Sequence, residues 1–389
     1  MASMPKVDAV LSAAVSAGEM PGVAAAAARP TETIYTGAFG KRALPDGAAM
    51  TPDSVFWIAS MTKAITSTAA MIQVERGKLQ LDAPISDVLP ELKNRPVFEG
   101  FDGAGKPKLR APKSPPTLRQ LITHTAGFTY DIWNADMGKY MEMEGIPGVI
   151  SCENKALSTP LAFDPGTQWD YGINIDWVGK AVESSSGQTL GQFFAENIFK
   201  PLGMSSIAFK MTDDMRKRLV GMHARGEDGS LEPMEFEIPQ EPEFEMGGGG
   251  LYGTVADYVA FMQVFLNGGK GANGHQLLKA GTVAEMSRNN IGEVNVVKLK
   301  TAIPPYSNDA EFFPGMQKKW GLGFMINTAD VPGRRKANSL NWAGLGNTYF
   351  WIDPTSKLCG VIMCQLVPFA DGKVLGLLDR FEEAVYASV

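Results

Sequence analysis

Histidine and cysteine are both scarce in this chain of 389 residues, with three of each. His124, His223 and His275 form no His-Glu-x-x-His pattern, and no Gly-x-Ser-x-Gly elbow occurs. These absences count against a zinc peptidase and against the common α/β-type Ser-His-Asp hydrolase. If the chain does nucleophilic chemistry, its base is not a histidine. Cys152, Cys359 and Cys364 form no Cys-x-x-Cys pair, which speaks against a zinc or redox centre. Cys359 and Cys364 stand five apart in one apolar run, so on an extended strand they face opposite sides and do not pair. No apolar run reaches the ~18–20 residues of a membrane-spanning helix. There is no basic excess: 36 Lys and Arg stand against 42 Asp and Glu, a net charge of −6, which disfavours a nucleic-acid partner. Asp8 interrupts the apolar stretch after Lys6, so residues 7–18 read as a short amphipathic helix rather than a signal peptide, and a cytoplasmic location is the default expectation.

What is present is globular. Hydrophobic residues make up 44% and charged residues 20%, enough for a large core without disulfides or metals. The length suits two or three domains, or one large enzyme with an insertion. Residues 22–28 and 31–39 read as a hairpin, and residues 321–327, 348–353 and 358–366 as consecutive antiparallel strands near the other end. Helical patterns lie between them, at residues 60–75, 175–184, 190–198 and 255–266, and residues 374–387 close the chain as a helix. The expected fold is α/β of the α+β type. One antiparallel sheet is built from both termini (residues 1–90 and 270–389), and a mainly helical domain (91–269) is inserted. Residues 95–117 read as a long surface loop, and the acidic stretch 226–245 as a solvated one.

Three places carry residues suited to chemistry. Ser60-Met61-Thr62-Lys63 opens a predicted helix, and at that spacing the two side chains share one face. A buried lysine there, with its pKa lowered, is a base for the serine hydroxyl, and the helix N-terminus favours the alkoxide; an ordinary exposed helix face is the competing explanation. Tyr171 follows the Pro165-Gly166 turn and precedes a helix. Near two cationic groups it would lose its proton more easily and act as a shuttle; taken alone, Tyr171 is better explained as a buried core tyrosine bonded to a neighbour. Asn341-Trp342-Ala343-Gly344-Leu345-Gly346 precedes a strand. Small residues there allow close backbone approach, and the N–H groups of Leu345 and Ser60 can form an oxyanion hole beside an apolar Trp342 wall. A turn with a buried Trp accounts for the same residues.

Taken in order, these segments resemble the serine β-lactamase and penicillin-binding-protein superfamily, and within its class C-like branch the family VIII carboxylesterases. Three further segments share the likeness: Gly77-Lys78-Leu79-Gln80-Leu81-Asp82, Leu121-Ile122-Thr123-His124-Thr125-Ala126-Gly127, and Gly247 to Thr254. The resemblance covers nearly the whole chain. It implies a β-lactamase-like fold, with Ser60 as acylated nucleophile, Lys63 as general base, Tyr171 as proton shuttle, and Ser60 and Leu345 as oxyanion donors. Class C β-lactamases usually carry Tyr-x-Asn, whereas Ile173 stands at the third position here; they carry Lys-Thr-Gly where this chain has Trp342-Ala343-Gly344. Without that lysine, a neutral ester is favoured over an anionic lactam.

The resulting expectation is a serine carboxylesterase for short-chain esters. β-Lactamase, D,D-peptidase or acyltransferase activity is the alternative, and a non-catalytic binding member of the fold the non-enzymatic one. Trp342, Ala343, Gly344, Phe128, Tyr130 and Tyr252 are the candidate substrate contacts. His124 reads as structural, and His223 and His275 as surface residues. The expected partner is a small-molecule ester, with a β-lactam as a weak second substrate. No metal, cofactor, nucleic acid or membrane is expected, and a homo-oligomer is left open.

Overall fold

Five of the seven residues in the strand Gly22–Ala28 are alanine, and all seven are buried. Alanine is a poor strand former, but its small side chain lets elements pack closely on both faces of a sheet. In the computed structural model, which describes residues 4–389, this strand lies inside a seven-stranded antiparallel sheet; Met1, Ala2 and Ser3 of the expected first segment lie outside the described residues. Across the sheet the order is Thr33–Gly40, Gly22–Ala28, Leu358–Met363, Thr348–Asp353, Leu340–Gly344, Met325–Asn327 and Lys318–Trp320. Ala24 pairs with Met363 and Ala28 with Cys359. The sheet is thus built from both ends of the chain.

Five strands, not three, come from the C-terminal part. Leu340–Gly344, expected as a turn ahead of a strand, is itself a strand. All five of its residues are buried, so it shows no polar–apolar alternation to read. Side chains elsewhere alternate with the pleat. Phe350 packs on Tyr258 of the helix Val255–Leu266, while Trp351 packs on Phe381 of the helix Gly372–Tyr386. Gly360 pairs with Trp351, and a Cβ there would stand 2.2 Å from the indole, so only glycine leaves room for the ring. The helices Pro5–Ser16 and Gly372–Tyr386 pack together on one face. On the other lies Val255–Leu266, and the helix Thr62–Glu75 packs on Asn174–Ser186.

Three further expectations change. The stretch 95–117 is not a plain loop, since Val97–Phe101 and Pro107–Arg110 pair as a hairpin. Part of the acidic stretch is ordered too, Leu231–Met234 pairing with Met222–Arg225. His223 is buried, not at the surface, and its Nε2 accepts the N–H of Leu44 at 3.1 Å. All three cysteines are free and buried. Among the described residues no helix is long and apolar enough to cross a membrane.

One buried ion pair pins the C-terminal helix to the sheet. Arg335, in the connection leading to Leu340–Gly344, donates to both oxygens of Glu382, Nε at 2.8 Å and a terminal nitrogen at 2.6 Å. Their side chains are 4% and 0% exposed. Removing one partner strands the other charge in a dry site, so Glu382→Ala should lower the unfolding free energy by about 3–5 kcal/mol in a urea titration. A loss under about 1 kcal/mol, as for a surface pair, would contradict this account.

Candidate active site

Ala59 has φ +45°, a region that costs a residue with a Cβ about 1–3 kcal/mol. It opens a single 3₁₀ turn, Ala59–Met61, which runs into the helix Thr62–Glu75. Ser60 rides on that turn. Three contacts hold it: Tyr258 Oη donates to the Met61 carbonyl at 3.0 Å, and the Leu251 N–H donates to Thr62 Oγ1 at 3.2 Å. On the sheet side, a Cβ on Gly344 would lie 2.4 Å from the Ile58 carbonyl, so the strand backbone abuts the turn directly.

One helical turn on, Lys63 is 1% exposed. Its Nζ lies 3.1 Å from Ser60 Oγ, and it donates to Tyr130 Oη at 3.0 Å and to the Gly248 carbonyl at 2.5 Å. A neutral amine fits this setting: two N–H bonds serve Gly248 and Tyr130, and the lone pair faces the serine hydroxyl. Burial lowers the Lys63 pKa to about 7, while the negative charge of Asp176 acts in the opposite direction.

Tyr171 places its ring 4.6 Å from Lys63 Nζ, and its hydroxyl accepts the indole N–H of Trp342 at 2.8 Å. Burial raises the phenol above its ordinary value, against the smaller opposing effect of hydrogen bonding with Ser60 and Trp342. This corrects the expectation of an easily ionised tyrosine. The second cation that expectation needed is replaced by a neutral indole, so the phenol keeps its proton. His124, buried with φ +59°, packs against the Tyr171 ring at 4.7 Å between centroids. Its Nδ1 lies 3.1 Å from Asn174 Nδ2, and burial drives its pKa well below the usual value. It supports the tyrosine and takes no part in the contacts of Ser60.

Ser60 and Leu345 both line an apolar cavity of about 930 Å³, counting its open mouth. The Leu345 N–H has no protein acceptor among the described residues. Trp57, Trp133 and Phe236 supply aromatic wall, and Met222, Met234 and Met246 a flexible one. Of the expected substrate contacts, Tyr130 lines the cavity. Phe128 and Tyr252 do not, which is a correction: Phe128 packs on Trp177, and Tyr252 Oη accepts the Ile238 N–H at 2.9 Å. Trp342 stands behind Tyr171 rather than in the wall, and Ala343 and Gly344 contribute strand backbone. Among the described residues, no group of three or more His, Cys, Asp and Glu side chains gathers to hold a metal.

Sequence reasoning missed Asp176 and the structural use of the glycine run. Gly247, Gly248 and Gly249 offer their carbonyls to Thr66, Lys63 and Trp57 in turn. The signal for Asp176 was present but ambiguous, since an acidic residue in a helix's first turn is ordinary.

The β-lactamase family profile matches residues 7–382. A lovastatin esterase of Penicillium rubens is 32% identical over 403 aligned positions, covering 98% of this chain and 98% of that protein. A monacolin J acid methylbutanoyltransferase of Aspergillus terreus is 31% identical over 392 positions, covering 96% and 93%. The solved structure of unliganded simvastatin synthase from Aspergillus terreus superposes with a TM-score of 0.86 at 29% identity, covering 100% of this chain and 99% of that one.

Because Lys63 holds its proton only below about pH 7, a fluorophosphonate should label Ser60 at a rate that climbs as pH rises through that value. Lys63→Met should slow labelling by roughly 10²–10⁴-fold, the usual worth of a general base. Mass spectrometry of the intact chain reads both. Labelling independent of pH from 5 to 9 would remove Lys63 from the reaction.

Proposed function

The chain belongs to the β-lactamase family, as a class C-like serine hydrolase or acyltransferase, and we propose that it is a carboxylesterase of the family VIII type. The carrying observation is the buried amine of Lys63, 3.1 Å from Ser60 Oγ at the floor of an apolar cavity. Ser60 Oγ attacks the ester carbonyl as its proton passes to Lys63 Nζ. The tetrahedral oxyanion is held by the N–H groups of Ser60 and Leu345. On collapse, the Tyr171 phenol relays a proton to the departing alcohol, and Lys63 is the source of that proton. Water then enters, loses a proton along the same route and releases the acid. Because burial keeps Tyr171 protonated, it passes protons without standing as a free phenolate base.

The substrate is an ester with a short acyl group and an apolar, uncharged remainder. Among the described residues no Lys or Arg lines the cavity, and Asp131 is the one acidic side chain in the lining. A β-lactam carboxylate would therefore be desolvated without a cation to receive it, which is costly. A second reading, acyl transfer to an alcohol in place of water, is favoured by the relatives whose names describe acyltransferases. An apolar cavity suits it by holding a bulky acceptor and limiting water.

Three measurements test this. Ser60→Ala should abolish turnover of 4-nitrophenyl butyrate, and Tyr171→Phe should cut kcat/KM by roughly 10²–10⁴-fold while leaving phosphonate labelling of Ser60 intact. Wild type should turn over that ester at least ~100-fold faster than a chromogenic cephalosporin, a gap of about 2.7 kcal/mol in barrier. Equal rates would favour the lactamase. Added short-chain alcohol should shift product from acid toward the transferred ester if the second reading holds, and leave it unchanged if water alone is accepted.

A further inference from the structure

One ionisable side chain at the centre of the site has no task in the mechanism above. Asp176 is the third residue of the helix Asn174–Ser186 and is 1% exposed. Its Oδ1 accepts the Gly248 N–H at 2.8 Å, while Oδ2 is buried with no partner among the described residues. The carbonyl of the same glycine accepts from Lys63. A Cβ at position 248 would stand 2.5 Å from Asp176 Oδ2, so glycine is what admits the carboxylate to the loop that holds the lysine. Glu382 is equally buried but has Arg335 in direct contact; among the described residues Asp176 touches no cation. Helix stability does not explain this burial, because an exposed carboxylate in the first turn would serve the helix dipole as well.

The ionisable groups packed around Asp176 are few. Lys63 faces it from the helix Thr62–Glu75, Tyr130 and Tyr171 from two loops, and Cys152 from the turn after Val149–Ser151. Burial raises the two phenols and the thiol, so they stay neutral, and His124, bonded to Asn174 nearby, is also held neutral. Lys63 alone among them gains a positive charge; burial raises the Asp176 carboxyl itself to about 6, against the opposing effect of Lys63 and the Gly248 N–H, so at neutral pH and above it is an anion.

We propose that Asp176 is a positioning residue for the acyl transfer on Ser60, the buried counter-charge that stabilises Lys63 each time it becomes an ammonium. The proposal rests on the reading of Ser60 and Lys63 given above. In the attack step the Ser60 O–H bond breaks and an O–C bond to the acyl carbon forms. The proton joins the Lys63 lone pair, so positive charge appears on Nζ and none moves to Asp176. The carboxylate waits at a short remove, held by Gly248 and kept from direct contact. It steadies the ammonium without pinning it away from the serine, and the proton remains free to return.

The test is the pH profile of kcat/KM for 4-nitrophenyl butyrate with the full chain. Wild type should show an acid limb near pH 7, where Lys63 loses its proton. Asp176→Asn keeps an acceptor for Gly248 and removes only the charge. Its acid limb should move to lower pH by about one unit or more, because the lysine loses its anionic support, and its plateau should fall at least ~10-fold. A plateau that falls with the limb unmoved marks a merely structural role, and a profile like wild type marks a bystander; either overturns the proposal. Thermal melting checks that the variant folds. If it does not, Gly248→Ala, which pushes the carboxylate aside, is read for the same shift in the limb. A wild type with no limb near pH 7, or activity retained in Lys63→Met, would instead strike the Ser60–Lys63 reading itself.

Discussion

The site depends on keeping one amine out of water. A lysine at the surface is an ammonium at neutral pH and has no lone pair to offer; the same lysine in a dry setting loses the hydration that stabilises its charge. Lys63 is enclosed on every side by backbone and aromatic rings: the glycine run above it, Tyr130 and Tyr171 beside it, and its own helix behind. That enclosure explains why so much of the surrounding sequence is constrained in size. Gly248 makes room for Asp176, and a Cβ on Gly172 would lie 2.3 Å from the Thr129 backbone, tightening the loop that carries Tyr130 against the one that carries Tyr171.

Two parts of the fold meet at Ser60 and supply different things. The sheet supplies backbone, with the strand Leu340–Gly344 pressing its end against the 3₁₀ turn that carries Ser60, and Leu345 follows directly and lines the same cavity. The helical side supplies the side chains that handle protons. The division matches what each element does well. A strand in mid-sheet is rigid and holds the turn packed against it in place. Loops that converge on a helix can bring phenol, amine and carboxylate together from distant positions in the chain.

The parts legible in the sequence are those whose physics is local. Ser60 and Lys63 are three residues apart, so helical geometry alone brings them to one face, and the strands at residues 348–353 and 358–363 announce themselves by composition. What the sequence hides is whatever long-range packing decides. Phe128 and Tyr252 have the residue type of a pocket wall, and nothing local reveals that Trp177 and the Ile238 backbone claim them first. The strand Leu340–Gly344 contains Asn, Trp and two small residues, and it extends because its neighbours pair with it on both sides. Asp176 looks like a helix-start carboxylate until Gly248, 72 residues further on, is seen bonded to it.

Trp342 shows how one position redistributes the chemistry. A cation there would lower the phenol's pKa and draw Tyr171 toward phenolate, making it a competitor for the role of base. An indole has a single N–H and no charge. It fixes the Tyr171 oxygen by donating to it at 2.8 Å, yet leaves burial as the dominant influence, so the phenol stays protonated. Beside the protonated tyrosine, the lysine's pKa depends on its burial and on the charge of Asp176. The exchange of a cation for an indole thus removes a positive charge from beside Tyr171 and leaves Lys63 as the buried amine next to Ser60.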